Sequence, residues 1–203
     1  MMNLPEYLVW IDCEMTGLNP DTECLVEIAA VITDTELNVV DEGIDLVIKP
    51  RPGTVEAMGD YVRKMHTDSG LIREFANGLE LADAEAQVLE YIKKYIPTPK
   101  TSPLAGNTIG TDRLFITKYM PALDAHLHYR NIDVSTIKEL AKRWYPRAYF
   151  QAPKKDGGHR ALADILESIE ELKYYRNTVF VEAPGPSTED AQAIAGSIRN
   201  DKL

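Results

Sequence analysis

The chain has 203 residues, 44% of them hydrophobic and 27% charged, and its 22 basic against 32 acidic side chains leave a formal charge of −10. A length below roughly 250 residues suits one α/β domain with ample material for a core, and the composition is that of an ordinary globular chain. The acidic balance argues against a protein that coats long nucleic acids through a broad basic surface, although a short strand held at a metal site stays compatible with it.

Met1 to Trp10 lacks the basic start and long apolar stretch of a signal peptide, and no later apolar run nears the roughly 20 residues that span a bilayer. The expectation is a cytoplasmic protein with no membrane contact. Tyr7 to Glu14 is a β-rich run, with Thr16 to Thr22 as its turn. Leu25 to Thr33 makes a second strand and Gly43 to Ile48 a third, broken by Pro50-Arg-Pro-Gly53. Their short connections predict a three-strand antiparallel meander. Asp83 is a candidate cap for a helix carrying Val88, Leu89, Ile92 and Ile96 at the 3.6-residue period, stopped by Pro97. Pro103 to Asn107 reads as a short buried strand, followed by a helix through Arg113, Leu114, Ile116 and Tyr119, and Asn131 to Val134 reads as another strand. Thr136-Ile-Lys-Glu139 fits a capping box, with Ile137, Leu140, Ala141 and Trp144 as one helical stripe. Lys154 to Gly158 is a polar loop, and the last long helix carries Leu162, Ile165, Ile169 and Leu172 on one face. Strands early and alternation later predict an α/β fold, a mixed β-sheet flanked by α-helices, over residues 6–180. Residues 181–203, polar and punctuated by Pro184, Gly185 and Pro186, read as a flexible C-terminal tail in which Thr188 to Ile198 permits a helix.

Asp12 and Glu14 stand at i and i+2 on an otherwise apolar strand, so both leave the same face. Two like charges buried together are costly unless a cation neutralises them, and oxygen ligands on a rigid strand suit Mg²⁺ or Mn²⁺. The alternative is a strand end facing water. Cys13 points to the opposite face, as a core residue. Cys13 and Cys24 are too few for a disulfide framework or a four-cysteine zinc site. Asp112 falls where a strand hands over to a helix, and Asp164 at the start of the final helix; taken singly, each is equally a partner for the helix dipole. His159 follows two glycines, on a loop free to lean over a cleft, and alone it reads as well as a surface or core residue.

Together these residues form an ordered pattern: Asp-x-Glu on the first strand, a mid-chain Asp, then His-x₄-Asp. This pattern resembles the DEDDh 3′→5′ exonucleases, and longer motifs narrow the likeness. Trp10-Ile-Asp-Cys-Glu-Met-Thr-Gly-Leu18, the segment Gly106 to Arg113, and His128-Tyr-Arg-Asn-Ile-Asp-Val-Ser-Thr136 are similar to those of the oligoribonucleases, from about Tyr7 to Arg176. The resemblance implies a ribonuclease H-like fold and a homodimeric 3′→5′ exoribonuclease. Such an enzyme cuts short oligoribonucleotides, 5′-phosphorylated dinucleotides above all, to nucleoside 5′-monophosphates as the final step of RNA decay.

It also implies roles. Asp12, Glu14, Asp112 and Asp164 hold two divalent ions, Mg²⁺ or Mn²⁺. His159 serves as general base, an imidazole of ordinary pKa near about 6.5 being able to take a proton at neutral pH. Leu18 is the wedge between the terminal bases. Tyr61, where tryptophan is common, stacks on a base, and His66 lies near the substrate terminus. Thr108, Arg130, Ser135 and Thr136 gather at the 5′-phosphate, with Tyr129 and Arg130 reaching the neighbouring subunit's site. A DNA-proofreading or tRNA-trimming exonuclease shares the acidic residues and His159, but calls for a basic surface to grip a long strand. A non-catalytic nucleic-acid-binding module predicts damage among Asp12, Glu14, Asp112, His159 and Asp164, all of which are present. A structural Mg²⁺ or Ca²⁺ site leaves His159 unexplained.

Overall fold

The computed structural model describes residues 6–154 and 157–200, the side chains of 199 and 200 excepted; Lys155 and Asp156 of the expected polar loop, and residues 201–203 of the expected tail, lie outside the described residues. Five strands, β1 (Tyr7–Met15), β2 (Leu25–Asp34), β3 (Ile44–Val47), β4 (Pro103–Gly106) and β5 (His128–Asp133), form one sheet in the order β3-β2-β1-β4-β5. The first three pair antiparallel as the expected meander, whereas β4 runs parallel to β1 and β5 parallel to β4. The helices are α1 (Thr54–Ala57), α2 (Asp60–Asp68), α3 (Leu81–Tyr95), α4 (Gly110–Tyr119), α5 (Pro121–His126), α6 (Val134–Trp144), α7 (Pro146–Phe150), α8 (Ala161–Thr178) and α9 (Thr188–Asn200). Among the described residues, no helix is long and apolar enough to cross a membrane.

β1 is central and covered on both faces, which is why it reads as a nearly continuous apolar run. Val9, Ile11, Cys13 and Met15 belong to a core with α3, α4 and α5, whereas Leu8 and Trp10 belong to a second core with α6 and α8. The two-residue period puts Asp12 and Glu14 in the row that Leu8 and Trp10 begin, toward α8. Cys13 is buried on the other face, as expected. A third cluster, with Cys24, Val26, Met58, Leu71 and Phe75, packs the segment around α2 against the start of β2.

Three local expectations are corrected. Asp83 does not cap α3: Glu80 is the N-cap and Asp83 lies within the first turn. The Leu79 N–H still bonds to the Val47 carbonyl, so the chain leaves the sheet there and turns helical at once. Thr136 does not open α6, because β5 runs into the helix with no loop and Asp133 is the N-cap. Its carboxylate accepts the Ser135 N–H at 3.1 Å and the Thr136 hydroxyl at 2.8 Å. The stripe on α6 is only partly buried: Ala141 is covered, but Leu140 is 38% and Trp144 67% exposed. β5 also begins three residues earlier than its apolar pattern suggested, and the helix permitted in the tail forms as α9.

Candidate active site

Four elements converge beyond the C-terminal end of β1. Asp12 and Glu14 come from the strand itself, Asp112 from the first turn of α4, Asp164 from the first turn of α8, and His159 from the loop just before it. Gly106 at the end of β4 makes the approach possible: a Cβ there would lie 3.0 Å from the Ile11 carbonyl oxygen and 2.8 Å from Ile109 Cδ1. With β4 this close, α4 starts beside β1, and Asp112 Oδ1 accepts the Cys13 N–H at 3.0 Å. The Asp112 carboxylate is thereby fixed next to the peptide that separates Asp12 from Glu14.

A cleft of about 550 Å³ opens here, and its walls include Asp12, Glu14, Leu18, Tyr61, Thr108, Asp112, His159 and Asp164. Glu14, His159 and Asp164 offer ligand atoms that all lie within 4.8 Å of one another. Burial, reinforced by Asp164, Glu27 and Asp112, pushes the Glu14 carboxyl up to about 8, and burial also raises Asp112. Carboxyls crowded until they resist ionisation are relieved by a cation, and it is the carboxylate oxygens of this set that suit a hard divalent ion. The residues therefore fit a divalent metal, and Asp12 and Asp112 line the same cleft.

His159 and Thr108, both lining the cleft, hold left-handed backbone (φ 49° and 53°), a region that non-glycine residues rarely occupy and that needs support from its surroundings. For Thr108 that support is visible. Its N–H bonds to Asp133 Oδ1 and to Ser135 Oγ, each at 2.9 Å, and its hydroxyl meets Ser135 Oγ at 3.0 Å. Leu18 and Tyr61 are 77% and 76% exposed, apolar and aromatic groups left open at the cleft. The Leu18 loop is held by two side chains: the Tyr119 hydroxyl shares its one proton between the carbonyls of Pro20 (2.5 Å) and Glu23 (3.0 Å), and Arg51 donates to those of Thr22 and Glu23.

Other expected residues stand apart. His66 is fully buried; its Nε2–H donates to the Met15 carbonyl at 2.8 Å, and Nδ1 lies 3.9 Å from Glu14 Oε2. That placement backs the cleft rather than presenting a surface to a ligand. Tyr129 and Arg130 are exposed on the edge strand β5 and do not line their own chain's cleft; the Tyr129 ring lies 4.4 Å from the His128 ring and 5.4 Å from the Arg130 guanidinium. Ser135 and Thr136 border Thr108 at the α6 N-terminus. Sequence reasoning missed Asn107, which accepts from Ser135 and donates to Ser168 and Glu171, tying the Thr108 wall to α8. Its place right after Gly106, at the head of the Gly106 to Arg113 segment, was the available signal.

Comparison with known proteins shows the family. Residues 9–172 match the exonuclease family model, so fold and site define an exonuclease-domain hydrolase. An oligoribonuclease from Leifsonia xyli subsp. xyli is 61% identical over 198 residues, covering 98% of this chain and 96% of that protein. One from Streptomyces avermitilis is 57% identical over 188 residues, covering 93% and 94%. The chain belongs to the oligoribonuclease family and is a 3′→5′ exoribonuclease. Among solved structures, the zinc-bound E. coli exonuclease I–single-stranded DNA complex superposes with a TM-score of 0.62 at 17% identity. The match covers 86% of this chain but 41% of that one, and the shared feature is the ribonuclease H-like fold.

Proposed function

We propose that this exoribonuclease acts on very short RNA, 5′-phosphorylated dinucleotides above all, and releases nucleoside 5′-monophosphates as the last step of RNA decay in the cytoplasm. The observation that carries the reading is the small cleft, about 550 Å³, with Leu18 and Tyr61 open to it and the hydroxyls around Thr108 on its wall. A space of that size surrounds a ligand of a few rings, so the rest of any longer strand would have to run outside the cleft. The domain spans residues 6–180, with 181–203 as an appendage.

Divalent ions, Mg²⁺ or Mn²⁺, two per site, supply charge for the scissile phosphate and lower the pKa of water when bound. Asp12, Glu14, Asp112 and Asp164 hold them. His159, presented by its left-handed backbone, accepts the proton of the attacking water. Leu18 separates the two bases, and Tyr61 stacks on one for about 1–3 kcal/mol. Thr108, Ser135 and Thr136 border the 5′-phosphate at the α6 N-terminus, which favours an anion, and Arg130 pairs with it. Tyr129 and Arg130 come from a second copy; their exposure on an edge strand supports a homodimer. His66 acts behind the cleft, through Met15 and Glu14. A dinucleotide reaches from the scissile bond to this cap, whereas longer RNA must give up one end.

Single-turnover cleavage of 5′-labelled RNAs, from the dinucleotide to about twenty nucleotides, with and without Mn²⁺, tests this reading. The expected outcome is a metal-dependent rate that drops steeply above a few nucleotides and vanishes in a folded Asp12→Ala variant. Rates that stay flat or rise with length would remove the phosphate cap from the reading.

A further inference from the structure

Glu27 is a buried carboxylate that the mechanism does not use. It is 0% exposed on β2, among Val26, Ile28 and Ala29, and it stands directly across the sheet from Glu14. Both of its oxygens are engaged by residues next to the cleft. Oε1 accepts from Arg160 Nε at 2.7 Å and Oε2 accepts the Ala161 N–H at 2.9 Å. Arg160 extends its other arm to Glu74, with Nη1 2.8 Å from Glu74 Oε1. Neither Glu27, Arg160 nor Glu74 lines the cleft.

The position of this triad along the chain gives it meaning. Arg160 follows His159, and Ala161 opens α8, three residues before Asp164. Arg160 is the N-cap of α8 yet makes no side-chain cap bond, so the cap comes from Glu27 on another element. His159 has a left-handed backbone, and a conformation of that kind persists only when neighbouring structure holds it. A two-point grip on the next two residues, the Arg160 side chain and the Ala161 N–H, anchored in the strand paired with β1, provides such a hold. We infer that Glu27, Arg160 and Glu74 form a clamp that positions His159 and Asp164 against Glu14. These are positioning residues: they touch neither substrate nor metal, and they set the distance between ligands from β1 and ligands from α8. The inference rests on the proposed roles of His159 and Asp164.

The test uses the full chain. For Arg160→Ala, Arg160→Lys and Glu74→Gln, kcat and KM are measured on a dinucleotide, and Mn²⁺ affinity is measured by titration without substrate. Losing a group that orients ligands lowers activity or metal affinity by about 10- to 100-fold. Arg160→Ala is expected to lose that much in kcat and in Mn²⁺ affinity, with KM little changed. Arg160→Lys is expected to recover part of it, since an ammonium cannot bridge two carboxylates as a planar fork does. If Arg160→Ala does not fold, Glu74→Gln decides, because it removes one arm at a half-exposed site without opening the core; a fall in both quantities supports the clamp. Wild-type kcat and Mn²⁺ affinity in the folded variants, even with lowered thermal stability, would overturn it. His159→Ala and Asp164→Asn separate the two levels of the argument. If they are inactive while Arg160→Ala is normal, the clamp alone is rejected; if they too are fully active, the reading of the site falls with it.

Discussion

Two side chains that do not line the cleft, Arg51 and Tyr119, illustrate how single residues shape it. Arg51 lies 5.3 Å over the Tyr119 ring, and both reach up to the backbone of the loop that carries Leu18. Replacing Tyr119 by Phe removes only the hydroxyl that serves Pro20 and Glu23, a loss of about 1 kcal/mol. If that free energy is spent on keeping Leu18 at the cleft, KM for a dinucleotide rises about fivefold while kcat stays near wild type. Steady-state kinetics on the dinucleotide checks this, and an unchanged KM would show that the loop stands without the hydroxyl. Sequence reasoning found Leu18 through its motif. It could not find Tyr119, which lies about a hundred residues away and reads as one more apolar position on α4.

At the scale of the element, the junction between β4 and α4 carries the argument. Gly106 is needed because the strand passes the Ile11 carbonyl too closely for a Cβ. Gly106→Ala should therefore cost about 1–3 kcal/mol by overpacking. It should also cut activity, since pushing β4 outward draws Asp112 away from the Cys13 N–H. Denaturant unfolding alongside a turnover assay measures both, and full activity at reduced stability would separate the packing from the site. The strands and the longer helices were legible because a central strand reads as an apolar run and an amphipathic helix as a 3.6-residue stripe. Their ends were less so. Glu80 takes the N-cap position of α3 and Asp133 caps α6 because Leu79 and β5 are tied into the sheet to their last residue, a constraint that local pattern does not carry.

Across the whole molecule, a charge of −10 and several buried acids make stability depend on pH and on cations. Burial raises Glu14 from its ordinary 4.5 to about 8, and it raises Asp112 and Glu27 in the same direction. With a folded pKa above the unfolded one, the folded chain holds more protons over that interval, so unfolding free energy falls as pH rises. The contribution is complete below 4.5 and lost as pH rises through about 8. In chelator, the melting temperature is expected to fall between these limits, and Glu14→Gln should flatten the slope. Mn²⁺ at about a hundredfold its dissociation constant should return about 2.7 kcal/mol at the upper end. Thermal unfolding at a series of pH values tests all three, and a slope unaffected by Glu14→Gln would place the effect elsewhere.

What the sequence determined by itself was the meander, the α/β class, and the ordered pattern of Asp12, Glu14, Asp112, His159 and Asp164, which line one cleft, because strand periodicity and ordered motifs are local properties of the chain. Tertiary structure alone decided how those residues meet. It buried His66 behind Glu14, left Tyr129 and Arg130 on an edge strand outside their own cleft, and set Glu27 across from Glu14 with its grip on Arg160. Such relations join residues tens to more than a hundred positions apart, and they arise from strand register and close backbone approach, which appear only once the sheet is assembled.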